Sequence, residues 1–352
     1  MKKITIVLSL CTAISIAASG CSRDNTTNLT AATAATEAAE TAAEETTAEV
    51  TVNEAEETIE DGIIAGEPLV IIEDQPVPIY SRPSGGIRTP QASGTVTYSE
   101  NSVTLDASNS SSGYVMVTYG GSASKIKVQL IKSGSETYTY DLNARSAYEV
   151  FPLTLGNGTY TVKVLEQVQG NQYAVKFGKD ISVSLKNEYE PFLYPNQYVN
   201  FTAGSAVVQK AEELAAPAAD TLGVVTNVYN YVVSNFTYDT AKANSVQSGY
   251  LPNVDTVMAQ KRGICFDYAS VMTAMLRSQE IPTKLVIGYT GSVYHAWVNV
   301  YIEGQGWVDN VIYFDGHDWK LMDPTFASSG GNDPAVLEHI KNSANYKAKY
   351  SY

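Results

Sequence analysis

The run Lys261-Arg262-Gly263-Ile264-Cys265-Phe266-Asp267-Tyr268-Ala269-Ser270-Val271-Met272-Thr273-Ala274-Met275-Leu276-Arg277 decides how this chain is read. Gly263 breaks whatever precedes it, and Cys265, Ala269, Met272 and Leu276 then recur at helical spacing. A buried helix is predicted, with Cys265 in its first turn. There a thiol meets the positive end of the helix dipole and backbone N–H groups that have no partner within the helix. Such positions lower a thiol pKa from about 8.5 towards 3.5–7.5, giving thiolate at neutral pH. The same N–H groups suit an oxyanion. Read alone, the segment fits a packed structural cysteine equally well.

Two later segments bear on that choice. Ser292 to Ile302 alternates as a strand, with His295, Trp297, Asn299 and Tyr301 on one face and Tyr294, Ala296, Val298 and Val300 on the other. His295 is one of three histidines; His317 falls in a turn and His339 in a tail helix, both solvated in this reading. Trp319-Lys320-Leu321-Met322-Asp323-Pro324-Thr325-Phe326 reads as a short strand ended by proline. A strand histidine is commonly just packed, and an aspartate before proline commonly starts a turn. The ordered set Cys265, His295, Asp323 is more specific than any member.

These segments resemble the transglutaminase-like superfamily. The resemblance is carried by Gly263-Ile264-Cys265-Phe266-Asp267-Tyr268-Ala269, Arg277 to Tyr289, His295-Ala296-Trp297-Val298 and Met322-Asp323-Pro324-Thr325, in family order, with Tyr238-Asp239 ahead of them. It covers about Asp220 to Phe326. It implies a papain-like core in which a cysteine at a helix N-terminus packs on an antiparallel sheet bearing the histidine and aspartate. Cys265 would be the nucleophile, His295 the base, and Asp323 the residue that orients His295. The implied reaction is acyl transfer on peptide or protein amides through a thioester, ending in hydrolysis, deamidation or crosslinking. The stretch Trp307 to Trp319 departs from the pattern as an insertion, expected to form a hairpin over the cleft. No cofactor is implied, and the cysteine and histidine spacings match no zinc site. The rival reading is a non-catalytic surface adhesin on the same fold.

Met1-Lys2-Lys3 followed by apolar Ile4 to Ala18 reads as a signal segment over residues 1–20. Ala18-Ser19-Gly20-Cys21 resembles the lipobox of bacterial lipoproteins, which implies a lipid on Cys21 and a position at the extracellular face of the cell membrane. That lipid would be the only membrane attachment. The three cysteines are Cys11, Cys21 and Cys265, so maturation would leave one thiol and no disulfide.

The net charge of −14 belongs mostly to one stretch. Ser22 to Tyr80 holds eleven Glu and three Asp against one Arg, which leaves −3 for Ser81 to Tyr352. A near-neutral body lacks the basic stripe of a nucleic-acid binder, so the expected partner is an extracellular peptide or protein. Residues 21–89, with Thr/Ala/Glu low complexity and terminal Pro/Gly punctuation, read as an acidic disordered stalk. Residues 90–187 alternate in short runs such as Tyr114 to Tyr119, Lys125 to Leu130, Thr159 to Val164 and Ala174 to Phe177. Turns such as Gly156-Asn157-Gly158 separate them, which predicts an all-β, Ig-like sandwich without the immunoglobulin cysteine pair. Its tyrosines are expected to pack rather than bind carbohydrate. After a linker-like Glu190 to Asn196, residues 188–352 form the transglutaminase-like domain. Helices are predicted over Thr221 to Asn235, from Leu222, Val225, Val228, Tyr229 and Val232, and over Asp255 to Ala259. The expected class is therefore α+β.

Overall fold

Alternation builds the first half of the protein. The computed structural model describes residues 80–83, 86–308, 312–314, 319–321, 325 and 343–352. Cys11, Cys21, His317, Asp323 and His339 lie outside them. Eight strands come first: β1 Thr97–Glu100, β2 Val103–Asp106, β3 Tyr114–Tyr119, β4 Ile126–Ile131, β5 Tyr138–Asp141, β6 Glu149–Pro152, β7 Gly158–Gln169 and β8 Gln172–Val183. They pair antiparallel into two four-stranded sheets, ordered β1-β2-β3-β6 and β5-β4-β7-β8. In β4, Ile126, Val128 and Leu130 are buried while Lys127, Gln129 and Ile131 between them are half-buried, the period of two that a half-covered sheet dictates. Leu105, Val115 and Phe151 of one sheet share a core with Val128, Tyr160 and Val162 of the other. The tyrosines Tyr119, Tyr138, Tyr140 and Tyr160 are buried in this β-rich region, as packing requires.

The stretch expected to be a linker is instead packed. Glu190, Phe192, Leu193 and Asn196 are all buried. Pro191 lies so close to Gly113 (φ 85°) that a Cβ there would meet its Cγ at 2.5 Å. Two large apolar side chains and a proline seated on a glycine hold the segment down, which composition read as punctuation does not reveal.

The stalk boundary also moves. Tyr80 N–H donates to Ala218 O, and its hydroxyl donates to Gln279 O, each at 2.6 Å. Arg88 donates to Glu280 at 2.8 Å and to Glu190 at 3.3 Å, and both carboxylates are 6% exposed. Tyr80 and Ile87 pack against the core. Residues 80–83 and 86–89 of the expected disordered segment therefore hold a defined place. Their apolar and cationic side chains reverse the acidic, small-residue character of what precedes them.

Among the described residues, five α-helices and eight strands follow. They are α1 Ala206–Ala215, α2 Thr221–Asn235, β9 Thr237–Tyr238, α3 Thr240–Ser245, α4 Val254–Gln260, β10 Arg262–Gly263, α5 Cys265–Ser278, β11 Thr283–Thr290, β12 Val293–Ile302, β13 Gly306–Val308, β14 Ile312–Phe314, β15 Trp319–Leu321 and β16 Tyr346–Ser351. Helix α2 spans the predicted residues and buries Val224, Val225, Val228, Tyr229 and Val232. Its N-cap Asp220 accepts from Gly223 N–H at 2.8 Å. Helix α4 extends the predicted one by a residue at each end. In the expected insertion, β14 and β15 do pair as an antiparallel hairpin.

The main sheet of this half runs β13-β12-β11-β16, antiparallel throughout. Helix α5 packs on β11 and β12. Every residue of α5 after Cys265 is buried. The two halves share one compact unit. Tyr138 meets Tyr350 and Tyr352 edge-on at 5.1 and 5.4 Å, and its hydroxyl accepts from Ser351 N–H at 2.9 Å.

Candidate active site

The turn into α5 is built before the thiol is reached. Helix α4 ends on Lys261 in the left-handed region (φ 48°). Strand β10 then pairs in parallel with β9, two residues each, and delivers an extended Ile264. Asp267, three residues on, reaches back to accept from Ile264 N–H at 2.8 Å, as an acid in the first turn of a helix should. This carboxylate is 0% exposed. It also accepts from Lys242 Nζ and Tyr250 OH, each at 2.6 Å. Burial first, and the Asp267 hydrogen bond second, push the Tyr250 phenol far up, so Tyr250 stays a neutral donor. Gly263 is required by the same contact, since a Cβ on it would stand 2.5 Å from Asp267 Cβ. Asp239 caps α3 by accepting from Lys242 N–H at 3.0 Å and pairs with Arg262 at the same distance.

Asp267→Asn keeps the shape but removes the charge that Lys242 faces. Breaking a buried ion pair costs about 3–5 kcal/mol, and the 27% exposure of Lys242 cuts this to about 2 kcal/mol. Urea denaturation of the variant should show that loss. A change under about 0.5 kcal/mol would mean the network does not hold the start of α5.

Cys265 is the first residue of α5 and is half-buried, the free cysteine among the described residues. Its position leaves the first backbone N–H groups of the helix without helical acceptors. His295 is 5% exposed on β12, register partner of Gly288 on β11. Its ring runs nearly parallel to that of Trp297, 6.3 Å away at 22°. Alternation along β12 holds as expected, but both faces are covered. Ala296, Val298 and Val300 share the core of α5 residues Tyr268, Met272 and Leu276, and Trp297 and Asn299 on the other row are buried as well.

Tyr294, the residue before His295, is half-buried and packs against the core. Its phenol is raised chiefly by burial, then by Tyr350, Tyr289 and Cys265, so it lies within electrostatic reach of the thiol. Helix α5, which begins at Cys265, packs on β12, the strand that bears His295. Asp323 lies outside the described residues, two positions beyond the end of β15.

Sequence reasoning did not pick out Lys242, Tyr250, Asp267, Tyr294 or Arg277. For Asp267 a signal existed, namely an acid at the third helical position after Ile264. Lys242 and Tyr250 carry none, because they join Asp267 across 25 and 17 residues of chain.

Parts of this chain are similar to known proteins. An uncharacterised protein of Bacillus subtilis, YebA, is 28% identical over 173 residues, covering 43% of this chain and 22% of that protein. The chain thus spans about a fifth of that relative's length. Among solved structures, a proposed cysteine protease from Cytophaga hutchinsonii matches at 14% identity and TM-score 0.35, over 68% of this chain and 83% of its own. The periplasmic domain of TgpA from Pseudomonas aeruginosa, bound to ethylmercury, matches at 15% identity and TM-score 0.31, over 64% and 92%. Residues 208–310 match the core model of the transglutaminase-like superfamily, so this chain carries a transglutaminase-like domain preceded by a β-rich region.

Proposed function

We propose that this protein is a thiol-dependent acyl-transfer enzyme acting on peptide or protein amides, with Cys265 as nucleophile, His295 as base and Asp323 as the residue that orients His295. The observation that supports the reading is a half-buried cysteine as the first residue of α5, a helix that packs on the strand bearing His295. Within its sheet, β12 gains its outer neighbour β13 only at Val300, so the strand edge beside His295 is not taken up by β13. A sealed thiol could not meet a substrate; this one is partly open.

His295 takes the Cys265 proton, and the thiolate attacks the amide carbonyl carbon. The resulting oxyanion is received by N–H groups at the start of α5. As the C–N bond breaks, imidazolium returns the proton to the leaving nitrogen, which departs as ammonia or an amine. A thioester remains on Cys265. Water, deprotonated by His295, then releases a carboxylic acid and restores the thiol. A primary amine in place of water yields a new amide, which is crosslinking. Hydrolysis is the favoured outcome because water is the default acceptor outside a cell. The sequence of residues 1–21 supports that location, with a lipid on Cys21 as the anchor and an extracellular peptide or protein as the partner. We read the two sheets of the β-rich region as a sandwich that precedes the catalytic domain.

A peptide library incubated with the protein, with and without a primary amine, tests the assignment by mass spectrometry. Exchange of ammonia for water, chain cleavage, or amine incorporation is expected. A library left unchanged in every arm would sink it.

A further inference from the structure

We propose that Tyr289 and Tyr294 form an aromatic wall beside Cys265, so that the site prefers amides flanked by a large apolar or aromatic side chain. This names a substrate class for the acyl-transfer reading above and rests on it.

The wall follows from exposure along the row of the sheet that shares the core of α5. On β11 that row runs Leu285 at 0% exposed, Ile287 at 8% and Tyr289 at 40%. On β12 it runs Val298 at 0%, Ala296 at 3%, then half-buried Tyr294. Exposure climbs in one direction on both strands, so the cover supplied by α5 ends there. That end belongs to Cys265, because a four-residue connection joins the end of α5 to the start of β11 and the strand runs back along the helix it packs on. Tyr289 and Tyr294 are register partners with ring centroids 5.3 Å apart at 64°, an edge-to-face pair. Among the described residues the other large exposed hydrophobics (Val96, Tyr148, Val168 and Val175) all lie in the β-rich region, so Tyr289 stands alone in the domain that bears the thiol.

An edge-to-face pair with one ring left open accepts a third ring, and such contacts add to simple burial. Tyr289 is paired across β16 with exposed Lys347, so the row continues as a cation and carries no acid. A neutral or anionic aromatic segment fits this surface better than a cationic one.

The test uses alkylation, which needs no known substrate. The full chain is treated with iodoacetamide or with N-phenethyl iodoacetamide. Labelling of Cys265 is followed by peptide mapping, and each rate is divided by that of a small free thiol. The aromatic reagent should be favoured about tenfold in the wild type. The preference should fall to about twofold or less in Tyr289→Ala and persist in Tyr289→Phe. Fast labelling by iodoacetamide with no aromatic preference would overturn the wall and leave the nucleophile standing. Sluggish labelling by both reagents would overturn both. A preference unchanged in Tyr289→Ala would also overturn the wall.

Discussion

Cys265→Ala is expected to lose all amide turnover while the protein stays folded. Removing the nucleophile of a catalytic triad lowers kcat by about 10⁴–10⁶, because no other group can form the acyl intermediate. The fold should barely notice. The side chain is half-buried rather than sealed, and alanine is the best helix former in the first turn of α5. Denaturation midpoints should correspond to a change within about 1 kcal/mol. The other two cysteines of the full chain, Cys11 and Cys21, serve as internal controls, since their replacement should leave turnover intact. Turnover by Cys265→Ala within tenfold of the wild type would refute the nucleophile assignment.

Arg277 should give the largest loss of stability. It is 1% exposed near the end of α5 and serves as a hub. Its guanidinium donates twice to Thr283 O, at 2.9 and 2.7 Å, and once each to Tyr194 O and Tyr352 O at 2.6 Å. Burial lowers its pKa to about 9, so it is still charged at neutral pH. No side-chain carboxylate pairs with it among the described residues, and backbone oxygens offset its lost hydration instead. Arg277→Met fills a similar volume but removes every donor and strands buried carbonyls on three segments at once. The expected cost is about 3–5 kcal/mol by chemical denaturation. Arg277→Lys retains the charge without the fork and should fall between. A loss below about 1 kcal/mol for Arg277→Met would show that the carbonyls find other donors.

What the sequence disclosed and what it hid divide along physical lines. Helix α2 and strand β12 were legible because their apolar residues recur at the period of the element. Helix α5 was legible, with Cys265 in its first turn, because Gly263 breaks the chain just ahead of it. Helix α1 was not seen, since its buried face (Val207, Val208, Ala211 and Ala215) is made of small residues with a weak apolar signal. Strand β16, Tyr-Lys-Ala-Lys-Tyr-Ser, alternates but completes its sheet by pairing with β11 from far along the chain. Pairing between distant segments leaves no local trace. The same holds for the Lys242, Tyr250 and Asp267 network. Cys265 and His295 stood out in the sequence; Lys242 and Tyr250, which meet Asp267 in the first turn of α5, did not.

The segment before Gln91 has a mechanical consequence. Tyr80, Arg82 and Arg88 grip Gln279 O, Ser278 O and Glu280, all just at or beyond the last turn of α5. A fourteen-residue helix is about 21 Å long, so any pull arriving along the chain from its N-terminal side enters at the far tip of the rod whose other tip is the thiol. Traction from a surface would strain the grip first and reach the reacting sulfur last.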